Sequence, residues 1–228
     1  MSLCRNSSGE IFKGLNMLDI LEIESGNGFQ LYGGRQDWAA FRAGVVFASA
    51  AASKPVAGLE IFSGLKIEAA GTFAGIVSTD RYRLAWAELS GQAVEDLQAG
   101  TVDNSGIIPA RDLLAGVKPS KISGGFRLVV DNAAGSWSLS VNDSTISGRL
   151  IVGEFPKWRQ LVPDISADSA GGFALAPELL AGFMSGISKA FGSKVPAVSM
   201  KQAAPLKPVM LSGFSNSARG LIMPVRVI

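Results

Sequence analysis

The feature that most constrains this chain is a partial internal repeat. Leu113-Leu114-Ala115-Gly116 recurs 66 positions later as Leu179-Leu180-Ala181-Gly182, and Arg83-Leu84 recurs at the same offset as Arg149-Leu150. A fixed offset implies a repeated supersecondary unit, and such units bury their apolar faces by stacking on one another.

Three stretches follow one plan. In the first, Gly28–Tyr32 alternates as a strand and Gly33-Gly34 breaks it. The spacing then predicts a helix over Gln36–Ser53, with Trp38, Phe41, Val45 and Ala48 or Ala52 near a 3.6-residue period and Asp37 in the first turn. Lys54-Pro55 stops it. Strands are predicted at Val56–Phe62, Leu65–Ala69, Phe73–Thr79 and Tyr82–Leu89. The second stretch runs from a strand at Gly106–Pro109 through a short helix, Arg111–Val117, to strands Phe126–Asp131, Ser136–Val141 and Thr145–Val152. The third has a strand at Gly172–Leu175, a helix at Pro177–Phe191 with Pro177 suited to its first turn, and strands Val198–Lys201, Pro208–Phe214 and Gly220–Val227.

This pattern predicts an α+β fold of repeated strand-helix-strand-strand-strand half-units, with helices on one face of antiparallel sheets. Residues 1–25 read as an N-terminal extension carrying one extra strand at Met17–Ile23, 26–163 as a complete domain of two half-units, and 164–228 as a C-terminal half-unit. Ser90–Gly106 and Asp164–Gly172 read as linkers.

Composition narrows the chemistry. With no histidine in 228 residues, Ser-His-Asp and Cys-His nucleophile systems and His-ligated zinc are excluded. A single cysteine, Cys4, permits no internal disulfide. Met1–Glu10 is polar with no apolar segment behind it, and the longest apolar stretch, Trp38–Ala52, is interrupted by Arg42. That stretch is shorter than the roughly 18 residues of a membrane span. A soluble, cytoplasmic protein is expected, with no membrane partner.

Motifs for catalysis are weak. Ser63-Gly64-Leu65-Lys66 fits Ser-x-x-Lys but lacks companion elements and opens no helix, so a plain turn is expected. Gly26-Asn27-Gly28 lacks the third glycine of a dinucleotide fingerprint. Asp80 has no second carboxylate at useful spacing. No catalytic residue, metal site or cofactor is expected. The net charge of +2 resolves into −2 over residues 1–25, +1 over 26–163 and +3 over 164–228. Arg35, Arg42, Arg111, Lys118, Lys121, Lys189 and Lys194 lie on or beside the predicted helices, against few acids. They suit either an ordinary solvated face or a surface that meets phosphates without sequence preference.

Three segments resemble the bacterial-type DNA sliding clamp, the beta subunit of DNA polymerase III. Ser78-Thr79-Asp80-Arg81-Tyr82-Arg83-Leu84-Ala85 is similar to the family's Ala-Thr-Asp-Gly-His-Arg-Leu-Ala turn. Leu150-Ile151-Val152-Gly153-Glu154-Phe155-Pro156-Lys157-Trp158-Arg159, continuing through Leu161-Val162-Pro163, resembles its Leu-Ile-Asp-Gly-Glu-Phe-Pro-Asp-Tyr-Arg stretch. Leu221-Ile222-Met223-Pro224-Val225-Arg226-Val227 resembles its C-terminal Val-Val-Met-Pro-Met-Arg-Leu. The resemblance covers about residues 26–228 and departs from the family in two places: Arg81-Tyr82 replaces Gly-His, and three half-units stand where the family chain has six.

The resemblance implies a clamp fold and a non-enzymatic processivity factor. Such a factor encircles double-stranded DNA as a homo-oligomeric ring and tethers DNA polymerase and clamp loader through short peptide motifs. It implies a partner-peptide pocket built from Thr79, Arg81, Tyr82, Arg83, Leu84, Pro156, Leu161, Met223, Pro224, Val225 and Arg226, and a DNA-facing role for the seven bases named above. The alternative is a clamp-derived module that binds such peptides without encircling DNA.

Overall fold

The computed structural model describes residues 4–5, 11–12, 19–22, 27–70, 73–89, 104–119, 121–163, 173–192, 195 and 197–225. Its strands are β1 (Cys4–Arg5), β2 (Ile11–Phe12), β3 (Asp19–Glu22), β4 (Gly28–Gly33), β5 (Gly64–Ala70), β6 (Phe73–Thr79), β7 (Arg83–Glu88), β8 (Asn104–Pro109), β9 (Phe126–Asp131), β10 (Ser136–Val141), β11 (Ser144–Arg149), β12 (Ser199–Gln202), β13 (Val209–Ser212) and β14 (Ala218–Ile222). The helices are α1 (Arg35–Ser49), α2 (Ala110–Gly116) and α3 (Pro177–Phe191).

Apart from the β1–β2 pair, the strands form two antiparallel sheets. One has the order β11-β10-β9-β4-β3, the other β12-β13-β14-β7-β6-β5-β8. The first strands of two half-units are exchanged: β4 pairs with β9, Leu31 opposite Leu128, and β8 pairs with β5, Ile108 opposite Leu65. The third half-unit joins by β14 pairing with β7, which makes the larger sheet continuous.

All three helices pack on one side of the sheets. Trp38, Phe41, Val45 and Ala48 form the buried stripe of α1, and Phe41 stacks on Phe126 of β9 with ring centroids 4.6 Å apart. Helix α1 lies against both α2 and α3. At the α1–α3 crossing, Gly186 leaves no room for a side chain, because a Cβ there would collide with Ala50.

The two sheets differ in how their faces are covered. In β10 burial alternates, with Trp137, Leu139 and Val141 inside and the serines between them toward solvent. In β6 and β7 it does not: Ala85 and Ala87 meet the helices, while Leu84 and Trp86 are buried on the opposite face. The second cover is the segment 150–163, which lies across the outside of the larger sheet.

Several expectations are corrected. Val56–Phe62 is not a strand: Pro55 removes a donor, Gly58 takes φ +77°, Leu59 N–H donates to the Val56 carbonyl, and Glu60–Ser63 forms a 3-10 turn. Helix α1 ends at Ser49, before Lys54-Pro55. Of the strand expected at Gly172–Leu175, the described residues 173–175 make a single bridge, Ala174 to Val225, and β14 begins at Ala218. β8 begins at Asn104, inside the expected linker; 90–103 and 164–172 lie outside the described residues. The two sequence coincidences also differ in kind. Both Leu-Leu-Ala-Gly copies are helical, whereas Arg83 opens β7 and Arg149 closes β11.

Candidate functional site

The turn between β6 and β7 is organised by Asp80. Its Oδ1 accepts from the backbone N–H groups of Tyr82 at 3.0 Å and Arg83 at 2.7 Å, and its Oδ2 receives the Arg83 guanidinium at 2.8 and 3.0 Å. An aspartate accepting from the backbone two and three residues on is a turn device, and this use accounts for the lone carboxylate. The Thr79 hydroxyl donates to the Arg83 carbonyl at 2.7 Å and accepts from the Arg81 N–H at 3.1 Å. Arg81 itself sits at φ +78°, a conformation few side chains adopt, and its guanidinium lies 5.4 Å from the centre of the Phe62 ring.

Two further segments meet this turn. Leu221 lies opposite Leu84 and Ile222 opposite Arg83; Met223 N–H then donates to the Tyr82 carbonyl at 2.8 Å, and Val225 N–H to Ala174 at 2.9 Å. From the other side, Phe155 and Trp158 of the 150–163 segment pack with Val77, Leu84, Trp86, Ile107 and Leu221. Leu84, 3% exposed, is therefore the floor of this cluster, whereas Tyr82, Leu161, Met223 and Val225 are 57%, 51%, 40% and 43% exposed at its surface. Pro156 and Pro224 are half-buried.

Not every expected pocket residue is on this face. Alternation along β7 turns Arg83 toward the helices, where its Nη1 stands 2.7 Å from the position a Cβ on Gly182 of α3 would take. Arg226 lies outside the described residues. An open cleft of about 580 Å³ occurs farther along the same segment, between Lys66, Ile107, Asn132 and residues 150–151 and 153–160; Pro156 lines it, but Thr79, Leu84 and Met223 do not.

What holds the segment in place went unnoticed in the sequence. Glu68, 1% exposed on the outer face of β5, binds Arg159 at 2.6 Å and Lys66 at 2.8 Å, and accepts from the Trp158 indole at 3.3 Å. Burial pushes the Glu68 carboxyl up, but the Arg159 hydrogen bond and the Lys66 charge more than offset it and leave it below the ordinary carboxylate range. Lys66 and Glu68, two apart on a strand, share a face by period alone; that this face is covered is not a local property. The same segment explains Gly153: at φ +149°, with Ile61 2.6 Å from where a Cβ would be, only glycine fits. Ser63 and Lys66 have structural partners, the Ser63 hydroxyl donating to the Glu60 carbonyl and Lys66 pairing with Glu68.

On the helix side, Arg35, Arg111, Lys118, Lys121 and Lys189 are exposed. Arg42 is half-buried and donates from Nε to the Val117 carbonyl at 3.1 Å, tying α1 to the end of α2, as the Trp38 indole does to the Pro119 carbonyl. Lys194 lies outside the described residues. Among the described residues no group of three or more Cys, Asp or Glu is placed to hold a metal, and no helix is long and apolar enough to cross a membrane.

No protein-family model matches the chain. A beta sliding clamp of Micrococcus luteus is 30% identical over 133 residues, 58% of this chain; in that match the chain spans 41% of the relative's length. Among solved structures, the DNA polymerase III beta subunit of Thermotoga maritima superposes with a TM-score of 0.64 at 14% identity, covering 92% of this chain and 68% of that one. The beta subunit of Borrelia burgdorferi, solved with a natural product, gives 0.67 at 10% identity over 90% and 66%. The DNA polymerase sliding clamp of Pseudomonas aeruginosa gives 0.63 at 12% identity over 92% and 76%. The chain thus has the fold of the bacterial DNA polymerase III beta subunit, and over more than half its length it is similar in sequence to a beta sliding clamp.

Proposed function

We propose that this chain is a DNA sliding clamp, a cytoplasmic processivity factor that encircles duplex DNA and tethers replication proteins without catalysing a reaction. The observation that carries this reading is the meeting of three segments far apart in sequence. The Asp80 turn, the 150–163 segment and residues 221–225 converge on one apolar cluster on the outer face of the larger sheet. Exposed Leu, Met, Val and Tyr side chains around a buried Leu floor suit the apolar anchors of a short peptide, and Met adapts to more than one of them. A tethered polymerase that lets go then rebinds intramolecularly at high effective concentration.

The helix layer would face the duplex. Its exposed bases are few and spread over α1, α2 and α3, so contacts with phosphates stay weak, salt-sensitive and independent of sequence, as sliding requires. In this reading 26–163 is a complete clamp domain, 164–228 a half-unit, and several copies close the ring. A non-encircling module that only captures clamp-binding peptides is the second reading, favoured by the presence of just three such helices among the described residues.

Two measurements test the proposal. A labelled peptide with the Gln and Leu/Phe anchors of polymerase tails is titrated against the protein; no binding removes the tether. Light scattering gives the particle mass, and a monomer that is not retained on circular duplex DNA leaves the second reading.

A further inference from the structure

The rim of the outer slot carries a charge the fold leaves unspent. Asp80, the one carboxylate in the β6–β7 turn, is satisfied by Arg83 and the backbone, and Arg83 itself is turned toward α3. Arg81 is exposed, and among the described residues no ion pair engages it. Two features fix where it points. Its backbone is locked at φ +78° by the Thr79 hydroxyl, and its guanidinium rests 5.4 Å from the Phe62 ring centre. A guanidinium held on an aromatic face keeps its edge donors free and loses less rotamer entropy when an anion arrives. Tyr82, next in sequence, is 57% exposed, and its carbonyl is bonded to Met223, so the charged rim and the apolar surface are joined by one hydrogen bond.

Resting on the slot reading above, we infer that Arg81, seated on Phe62, selects partner peptides whose apolar anchor is flanked by acidic residues. Arg81 is then a specificity-determining residue: the anchors supply affinity through Met223, Val225 and Leu161, and Arg81 discriminates by charge.

The test uses two fluorescent peptides with the same Gln and Leu/Phe anchors, one flanked by aspartates and the other by lysines, titrated by anisotropy against the full chain. The aspartate peptide is expected to bind about three- to fivefold tighter at low salt, the range of exposed ion pairs, with the difference vanishing near 1 M salt. Arg81→Gly suits the positive φ, so its fold should hold, and it should bring the two peptides within twofold of each other. Phe62→Leu should reduce the preference partway. Met223→Ala should weaken both peptides alike. Equal binding of both peptides by the wild type, or a preference that survives Arg81→Gly, overturns the role of Arg81 while leaving the slot standing. Failure of both peptides to bind the folded wild type overturns the slot and this inference together.

Discussion

Arg159 and Glu68, 91 residues apart in sequence, are joined by an ion pair of 2.6 Å, and the carboxylate is 1% exposed. This contact fastens the 150–163 segment to the sheet beneath it. The Arg159 guanidinium also lies 4.5 Å from the Trp158 ring centre, and Trp158 packs on Trp86 at 5.6 Å, so charge and aromatic contacts hold the segment at one place.

Replacing Glu68 with Gln should therefore loosen the segment. Lys66 and Arg159 retain some solvent access, so they are not stranded when the charge is removed. The expected loss is about 1–3 kcal/mol, that of a charged hydrogen bond broken in a buried site. The urea midpoint measures it, and a wild-type midpoint would mean that apolar packing alone holds the segment.

The same carboxylate sets a pH dependence. Its folded-state pKa is depressed, so it contributes stability in full above the ordinary carboxylate range. That contribution is lost as pH falls from the ordinary value through the depressed one, where the folded state must also take up the proton. Denaturation midpoints followed from neutral to acid pH should fall more steeply for the wild type than for Glu68→Gln, and parallel curves would contradict this.

Leu84 and Met223 should separate stability from binding. Leu84→Ala leaves a hole under Trp158 and Leu221 and should cost about 2–5 kcal/mol of fold stability. Met223, 40% exposed, should cost far less stability while weakening an anchored peptide by about 1–3 kcal/mol. Thermal melts and peptide titration on the same samples check both halves.

On the helix face, Arg111, Lys118 and Lys189 are the bases to reverse together, because Arg42 is committed to the Val117 carbonyl. The triple Glu variant should keep its circular dichroism and lose retention on circular duplex DNA. Replacing each contacted base should also lower the log–log salt slope by about 1. Unchanged retention would place the DNA-facing surface elsewhere.

Sequence alone determined the elements whose signals are local. The strands Phe73–Thr79, Phe126–Asp131 and Ser136–Val141 and the helix Pro177–Phe191 follow from period, Pro placement and β-branched or aromatic content, and all four are observed with those bounds. The turn around Asp80 falls between two predicted strands and in a segment that resembles the family's turn, whereas the bonds from Thr79 and Asp80 that hold it are seen in the structure. What tertiary structure decided is everything that depends on a second face. The exchange of β4 and β8 between half-units, the turning of Arg83 toward α3 and the burial of Glu68 beneath Arg159 have no signature within a window of neighbours. Alternation states which side chains share a face, but only the chain that returns from 91 residues away states whether that face meets water or protein.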